Sequence, residues 1–143
     1  MIGDDFILSE AIRLVGEGVS VTFPVKGRSM LPFIVGDRDS VILESSVAPR
    51  WGDVVLAEVE GCRHVVHRIV KIENEHVTLM GDGNLVGREH CRIDQIRAKA
   101  SYVVHPNGKR CSLDSFRSRL LAKVWFGLLP LRRWLLAIYR RIA

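Results

Sequence analysis

Apolar positions along the chain recur first at a helical period and then at an extended one. Leu8, Ala11, Ile12 and Val15 repeat every three or four residues, which predicts a helix that Asp4 or Asp5 can cap and Gly16 or Gly18 ends. From Val19 the pattern alternates, so 19–25 reads as a strand that runs into Gly27 and Ser29. Further strands are predicted at Ser40–Leu43, Asp53–Val59, His64–Ile72, Val77–Met80 and Ile96–Val104. Turn residues separate them: Gly36-Asp37, Pro49-Arg50-Trp51-Gly52, Glu60-Gly61, Glu73-Asn74-Glu75 and Gly81-Asp82-Gly83-Asn84. Short strands at this density imply a mainly β (α+β) fold, a small curled antiparallel sheet or partial barrel behind an N-terminal helix.

Pro106-Asn107-Gly108 closes the β-body, and a helical region follows from Leu113, kinked or split at Pro130. In its last part Leu131, Trp134, Leu135, Ile138, Tyr139 and Ile142 are expected on one face and Arg132, Arg133, Arg140 and Arg141 on the other. This divides the chain into a β-domain with its helix, 1–111, and a basic amphipathic helical tail, 112–143. No repeat or low-complexity segment interrupts either part.

Composition sharpens the division. At 143 residues, nearly half apolar and a quarter charged, the chain can bury one core. From Ser112 onward it carries seven Lys/Arg against one acid, and the remainder carries fourteen against fifteen. The positive charge therefore belongs to the tail, and the body presents no basic surface of the kind that binds nucleic acid. Cys62, Cys91 and Cys111 are odd in number and form no CxxC pair, which argues against a disulfide framework or zinc knuckle and points to a reducing compartment. The acidic start, Met-Ile-Gly-Asp-Asp, lacks the basic region of a secretory signal, and no apolar run reaches the ~20 residues that span a bilayer. No cofactor is called for. The expected location is cytoplasmic, with the tail on a membrane surface or packed on the β-body or a second copy.

The chemistry gathers around Lys26-Gly27-Arg28-Ser29-Met30-Leu31-Pro32. Gly27 and Pro32 constrain a bend at a strand end, a place where a serine hydroxyl can face a cleft. A serine needs a positioned base. Of the five histidines, His67 shares its strand face with Val65 and Ile69, where partial burial would keep it neutral. A base in turn needs a group that holds its tautomer, and Asp82 follows the hairpin partner of the His67 strand. Met30 and Pro32 are candidates for lining the pocket of the residue before the cleaved bond, and the backbone N–H of Ser29 is a candidate oxyanion donor. A substrate strand could add at the edge of 19–25 or of Ser40–Leu43. Each residue also has a plain structural reading: Ser29 and Asp82 as turn residues, His67 and Met30 as core.

Four boxes in order resemble those of type I signal peptidases and their relatives. Gly27-Arg28-Ser29-Met30-Leu31-Pro32 with Gly36-Asp37 resembles the nucleophile box, and Gly52-Asp53-Val54-Val55 the strand after it. His67-Arg68-Ile69-Val70 resembles the box of the general base, and Gly81-Asp82-Gly83-Asn84 the box beyond. Histidine in place of the usual bacterial lysine makes the chain similar to the archaeal and endoplasmic-reticulum type. The resemblance implies a β-rich serine endopeptidase with Ser29 as nucleophile, His67 as base and Asp82 as orienting acid, acting on a precursor protein or peptide docked as an extended strand. Two departures stand out. The second acidic position expected shortly after the asparagine falls in Leu85-Val86-Gly87-Arg88-Glu89, so Glu89 is an alternative to Asp82 as the acid. Those proteins usually carry an N-terminal membrane anchor, where a soluble helix is expected here. Self-cleaving repressors share this β-fold, but they usually use lysine, carry an upstream DNA-binding domain and cut at an Ala-Gly bond. Here about eighteen residues precede the first predicted strand and no Ala-Gly pair occurs, which disfavours that reading. A non-catalytic peptide-binding or membrane-surface module of the same fold is the remaining alternative.

Overall fold

A computed structural model of the chain describes residues 2–27, 29–45, 48–60, 63–85 and 87–142, with side chains from Ile7 to Arg141. Arg28, the capping role of Asp4 or Asp5, the Gly61 half of its turn, Cys62 and the facing of Ile142 lie outside the described residues. Helix α1 runs over Ile2–Gly16. The strands are β1 (Val21–Pro24), β2 (Ser40–Glu44), β3 (Val54–Val59), β4 (Arg63–Glu73), β5 (His76–Met80), β6 (Glu89–Arg92), β7 (Ile96–Val104) and β8 (Arg110–Ser112). Helices α2 (Phe116–Gly127) and α3 (Arg132–Ile142) follow, joined by a short 3-10 turn at Leu129–Leu131. None of the described helices is long and apolar enough to cross a membrane.

All the strands pair antiparallel in one sheet, in the order β1-β2-β7-β3-β4-β5-β6. The first half of β7 pairs with β3 and its last residues with β8. Register shifts at Ile42/Leu43, Leu56/Ala57 and Ile69/Lys71 mark bulges, which sharpen local twist and help curl the sheet into a half-barrel. The mainly β fold with helices at both ends is therefore the one expected from the apolar pattern.

Strand β3 explains why two cores coexist. Its even positions Val54 and Leu56 face a cluster with Val25, Met30, Ile34, Val41 and Ala98, against which α1 places Val15. Its odd positions Val55, Ala57 and Val59 face a second cluster with Ile69, Val77, Leu79 and Cys91. A strand buried on both faces reads as a continuous apolar run, as Val54-Val55-Leu56-Ala57 does.

Two expectations need correction. Strand β2 is not an edge, because β1 and β7 flank it; the edge belongs to β1. Arg132 does not lie on a solvated face of the tail. It is buried with Leu136, while Leu131, Trp134 and Ile138 are exposed. The tail docks on the body through polar anchors as well as apolar ones. Ser115 caps α2 by accepting from the Ser118 N–H at 3.2 Å. Arg119 donates to the buried Asp53 carboxylate at 2.5 Å and to Asp114 at 3.0 Å. Phe126 meets Trp51 edge to face at 5.8 Å.

Candidate active site

The loop between β1 and β2 carries Ser29 and is closed at its base. The Val25 N–H donates to the Asp39 carbonyl at 3.1 Å, and the Asp37 N–H to the Val25 carbonyl at 2.8 Å. The buried Asp39 carboxylate accepts from the Val35 N–H, from Arg38 and from His105. Burial pushes this carboxyl up, but those hydrogen bonds outweigh it and hold it below the usual range. Inside the loop Gly36 lies directly on the Gly27 backbone, where a Cβ would overlap the Gly27 carbonyl.

The loop is tied to the Gly81–Asn84 turn by backbone. The Gly83 N–H donates to the Ser29 carbonyl at 2.8 Å, and the Asp82 N–H lies 3.5 Å from the Met30 sulfur. Gly81 touches the Ser29 carbonyl so closely that a Cβ there would overlap it. Met30 is therefore a core residue bridging the two segments rather than a pocket wall.

His67 is buried on β4, opposite Val55 of β3. Its Nδ1 lies 2.7 Å from the Glu89 carboxylate. A carboxylate can only accept, so Nδ1 carries the proton and Nε2 keeps its lone pair. Burial lowers the His67 pKa below its ordinary 6.5, against the pull of Glu89 and the weaker pull of Asp82. The imidazole is thus neutral at neutral pH, held in one tautomer and able to accept a proton at Nε2.

The strand register brings Glu89 there. Ile69 pairs with Leu79, and Leu79 with Glu89, so the three stand in one row across β4, β5 and β6. Strand β5 ends at Met80 opposite Arg68, so His67, two residues from Ile69 on the same face, lies past its end. Glu89 reaches it across that gap.

Asp82 does not make the contact expected of it. Both its oxygens accept from Arg68, at 2.9 and 2.8 Å, in a buried bidentate pair. Arg68 also donates to the Gly52 carbonyl at 2.9 Å and lies over the Phe33 ring. The tail closes this cluster. Trp125 donates to the Asp82 carbonyl at 2.7 Å, stacks edge to face on Phe33 and lies under Arg132, which donates to the Asn84 carbonyl. Burial pulls the Arg132 guanidinium below its ordinary pKa, against the attraction of Asp82.

Ser29 and His67 line one cavity of about 310 Å³. Phe23 and Pro24 of the β1 edge and Val25 just beyond it line it too, as do Val65 and Val66 of β4, with Ile7 and Leu8 of α1 beside them. The β1 and β4 strands are separated in the sheet by β2, β7 and β3, so the curl of the sheet makes this cleft. Neither Met30 nor Pro32 is among the described residues that line it. Among the described residues no group of three His, Cys, Asp or Glu side chains is gathered to hold a metal ion. The arrangement offers a hydroxyl, an oriented neutral imidazole and an apolar groove beside an open strand edge.

The family model described as Peptidase S24-like matches residues 5–103. The chain belongs to that family. No curated protein matches its sequence. Membership in the Peptidase S24-like family places the chain among serine-peptidase-like proteins, a coarser class than the signal-peptidase subtype that its boxes resemble. The matched region takes in Ser29, His67, Asp82 and Glu89 and ends before the tail. Sequence reasoning did not find Arg68 as the partner of Asp82, nor Ile7 and Leu8 as cleft residues. Arg68 directly follows His67, and its burial beside an acidic turn is visible only once β4 and β5 are paired.

Proposed function

We propose that the chain is a serine endopeptidase of the histidine type that cleaves a precursor protein or peptide through an acyl-enzyme. The observation that carries this reading is the 2.7 Å contact between His67 Nδ1 and Glu89, in the wall of the cavity that Ser29 also lines. In this mechanism Ser29 Oγ attacks the scissile carbonyl carbon while His67 Nε2 takes the hydroxyl proton. The carbonyl oxygen becomes the oxyanion, with the Ser29 N–H as one donor. The imidazolium, stabilised by Glu89, then gives its proton to the leaving amine as the C–N bond breaks. A water, deprotonated by the same imidazole, attacks the acyl carbon and frees Ser29. Glu89 orients the base, and Asp82 acts at one remove by fixing Arg68 and the turn that holds the Ser29 loop. The substrate adds as a strand along the open edge of β1, with its side chains against Phe23, Val65 and Val66.

The test is covalent labelling by a fluorophosphonate probe in the wild type, Ser29→Ala and His67→Ala. Labelling is expected in the wild type alone, with the melting temperature of Ser29→Ala unchanged, because a half-exposed hydroxyl contributes less than ~0.5 kcal/mol to stability. Undiminished labelling of Ser29→Ala overturns the assignment. A wild type that is folded and unlabelled, yet binds extended peptides, would instead be the non-catalytic module of the same fold.

A further inference from the structure

The tail meets the body with one side and leaves a second apolar side uncovered. On α2 the docked side holds Ala122 and Trp125, and on α3 it holds Arg132 and Leu136. The uncovered side of α2 carries Phe116, 84% exposed, with Leu120 and Val124 one and two turns on. Leu131 in the connecting turn and Trp134 (66% exposed) and Ile138 on α3 are exposed as well, away from Arg132 and Leu136. Exposed large apolar side chains at this density are not what a monomeric surface displays without a partner.

Charge identifies the partner. From Ser115 to Ala143 the chain has seven Lys/Arg and no Asp or Glu. Arg119 and Arg132 are committed to the body, which leaves Arg117, Lys123, Arg133, Arg140 and Arg141, all exposed. The Arg133 guanidinium lies over the Trp134 ring at 5.9 Å, so a cation and an aromatic that favour the lipid–water boundary stand together. A second copy seated on this side would bring like charge against like charge, because a two-fold interface uses the same patch twice. An anionic bilayer satisfies both features at once: leucines and rings enter the headgroup boundary while arginines reach the phosphates.

We infer that the outward side of α2 and α3 is a docking surface for an anionic lipid bilayer, with the β-domain held outside it. Docking on the body and lying on a membrane are thus compatible, since they use different sides of the same helices. The inference does not depend on Ser29 chemistry, and its test reads partitioning rather than turnover.

The experiment is flotation of the full chain with vesicles of phosphatidylcholine alone and of phosphatidylcholine with phosphatidylglycerol, at low and high salt. The chain should float with the anionic vesicles, less at high salt, and not with the neutral ones. The variant carrying Arg133→Gln, Arg140→Gln and Arg141→Gln should lower partitioning on the order of a hundredfold, from about fivefold per arginine. Trp134→Ser with Ile138→Ser should weaken it as well. All five positions are exposed, so melting temperatures should hold, and Ser29→Ala should float like the wild type. Equal flotation with neutral and anionic vesicles, none with either, or partitioning unmoved by the arginine variant overturns the inference. So does a dimer in sedimentation that Trp134→Ser disperses, or salt-sensitive binding to RNA in place of vesicles.

Discussion

The two carboxylates near His67 should fail in different ways when neutralised. Glu89 is partly exposed and touches the imidazole, so Glu89→Gln removes a charge with little change in shape. The amide can also donate to Nδ1, which would leave the proton on Nε2, where the mechanism needs a lone pair. In the well-studied serine peptidases a change of this kind costs about four decades. We expect Glu89→Gln to lower kcat by at least ~100-fold with a near-native melting temperature. Asp82 is buried against a buried arginine, and Asp82→Asn leaves Arg68 uncompensated, a defect that costs roughly 3–5 kcal/mol. An unfolding entropy of about 2.1 cal/mol/K per residue over 143 residues converts this to a melting point lower by about 10–17 °C. The Asp82 variant that remains folded at low temperature should retain more turnover than Glu89→Gln. Calorimetry on both variants and single-turnover rates on a cleaved peptide separate the two. The reasoning is refuted if Asp82→Asn abolishes turnover with its melting temperature intact while Glu89→Gln turns over normally.

Two further outcomes follow from the same geometry. Gly81→Ala places a methyl in the Ser29 carbonyl and should lower stability by roughly 1–3 kcal/mol and slow probe labelling, read by urea unfolding and by labelling rate; native labelling would mean the two segments are not locked together. Because the folded state lowers the His67 pKa, the unfolded chain binds the proton more readily below the ordinary value of 6.5, so stability is full above that pH and falls as the pH drops beneath it. Urea midpoints measured across that range should fall more steeply for the wild type than for His67→Gln, and the acid limb of turnover should likewise sit below pH 6.5; identical slopes would place no protonation change on His67.

What could be read from the chain divides along local and non-local lines. The strand positions, the hairpin at Asn74 and the burial of His67 depend on alternation and turn chemistry within a few residues, and the structure contains them. Strand β6, Glu89-His90-Cys91-Arg92, has a single inward apolar residue, Cys91, and so carries no extended run by which to recognise it. Strand β8 is similarly short and mostly exposed. The tail follows the same division. Its helices and its basic excess were legible, but the side that docks was not, because Arg132 is drawn onto the body by the Asn84 carbonyl, over the tail's own Trp125 ring, rather than by hydrophobicity.

The acid at His67 is the clearest case of a partner that pattern alone does not choose. Asp82 and Glu89 both lie beyond the hairpin that follows His67, and a turn aspartate flanked by glycines is the nearer of the two in sequence. The choice depends on three pairings at once, Arg68 with Met80, Ile69 with Leu79 and Leu79 with Glu89. A shift of one residue in β6 would turn Glu89 to the other face and Cys91 out of the core. Burying Cys91 therefore fixes the register that delivers Glu89, while Arg68 takes Asp82 because a guanidinium buried without a partner is costly and both Asp82 oxygens are within its reach. Packing in one core thus selects the residue at the imidazole, and a buried ion pair occupies the alternative.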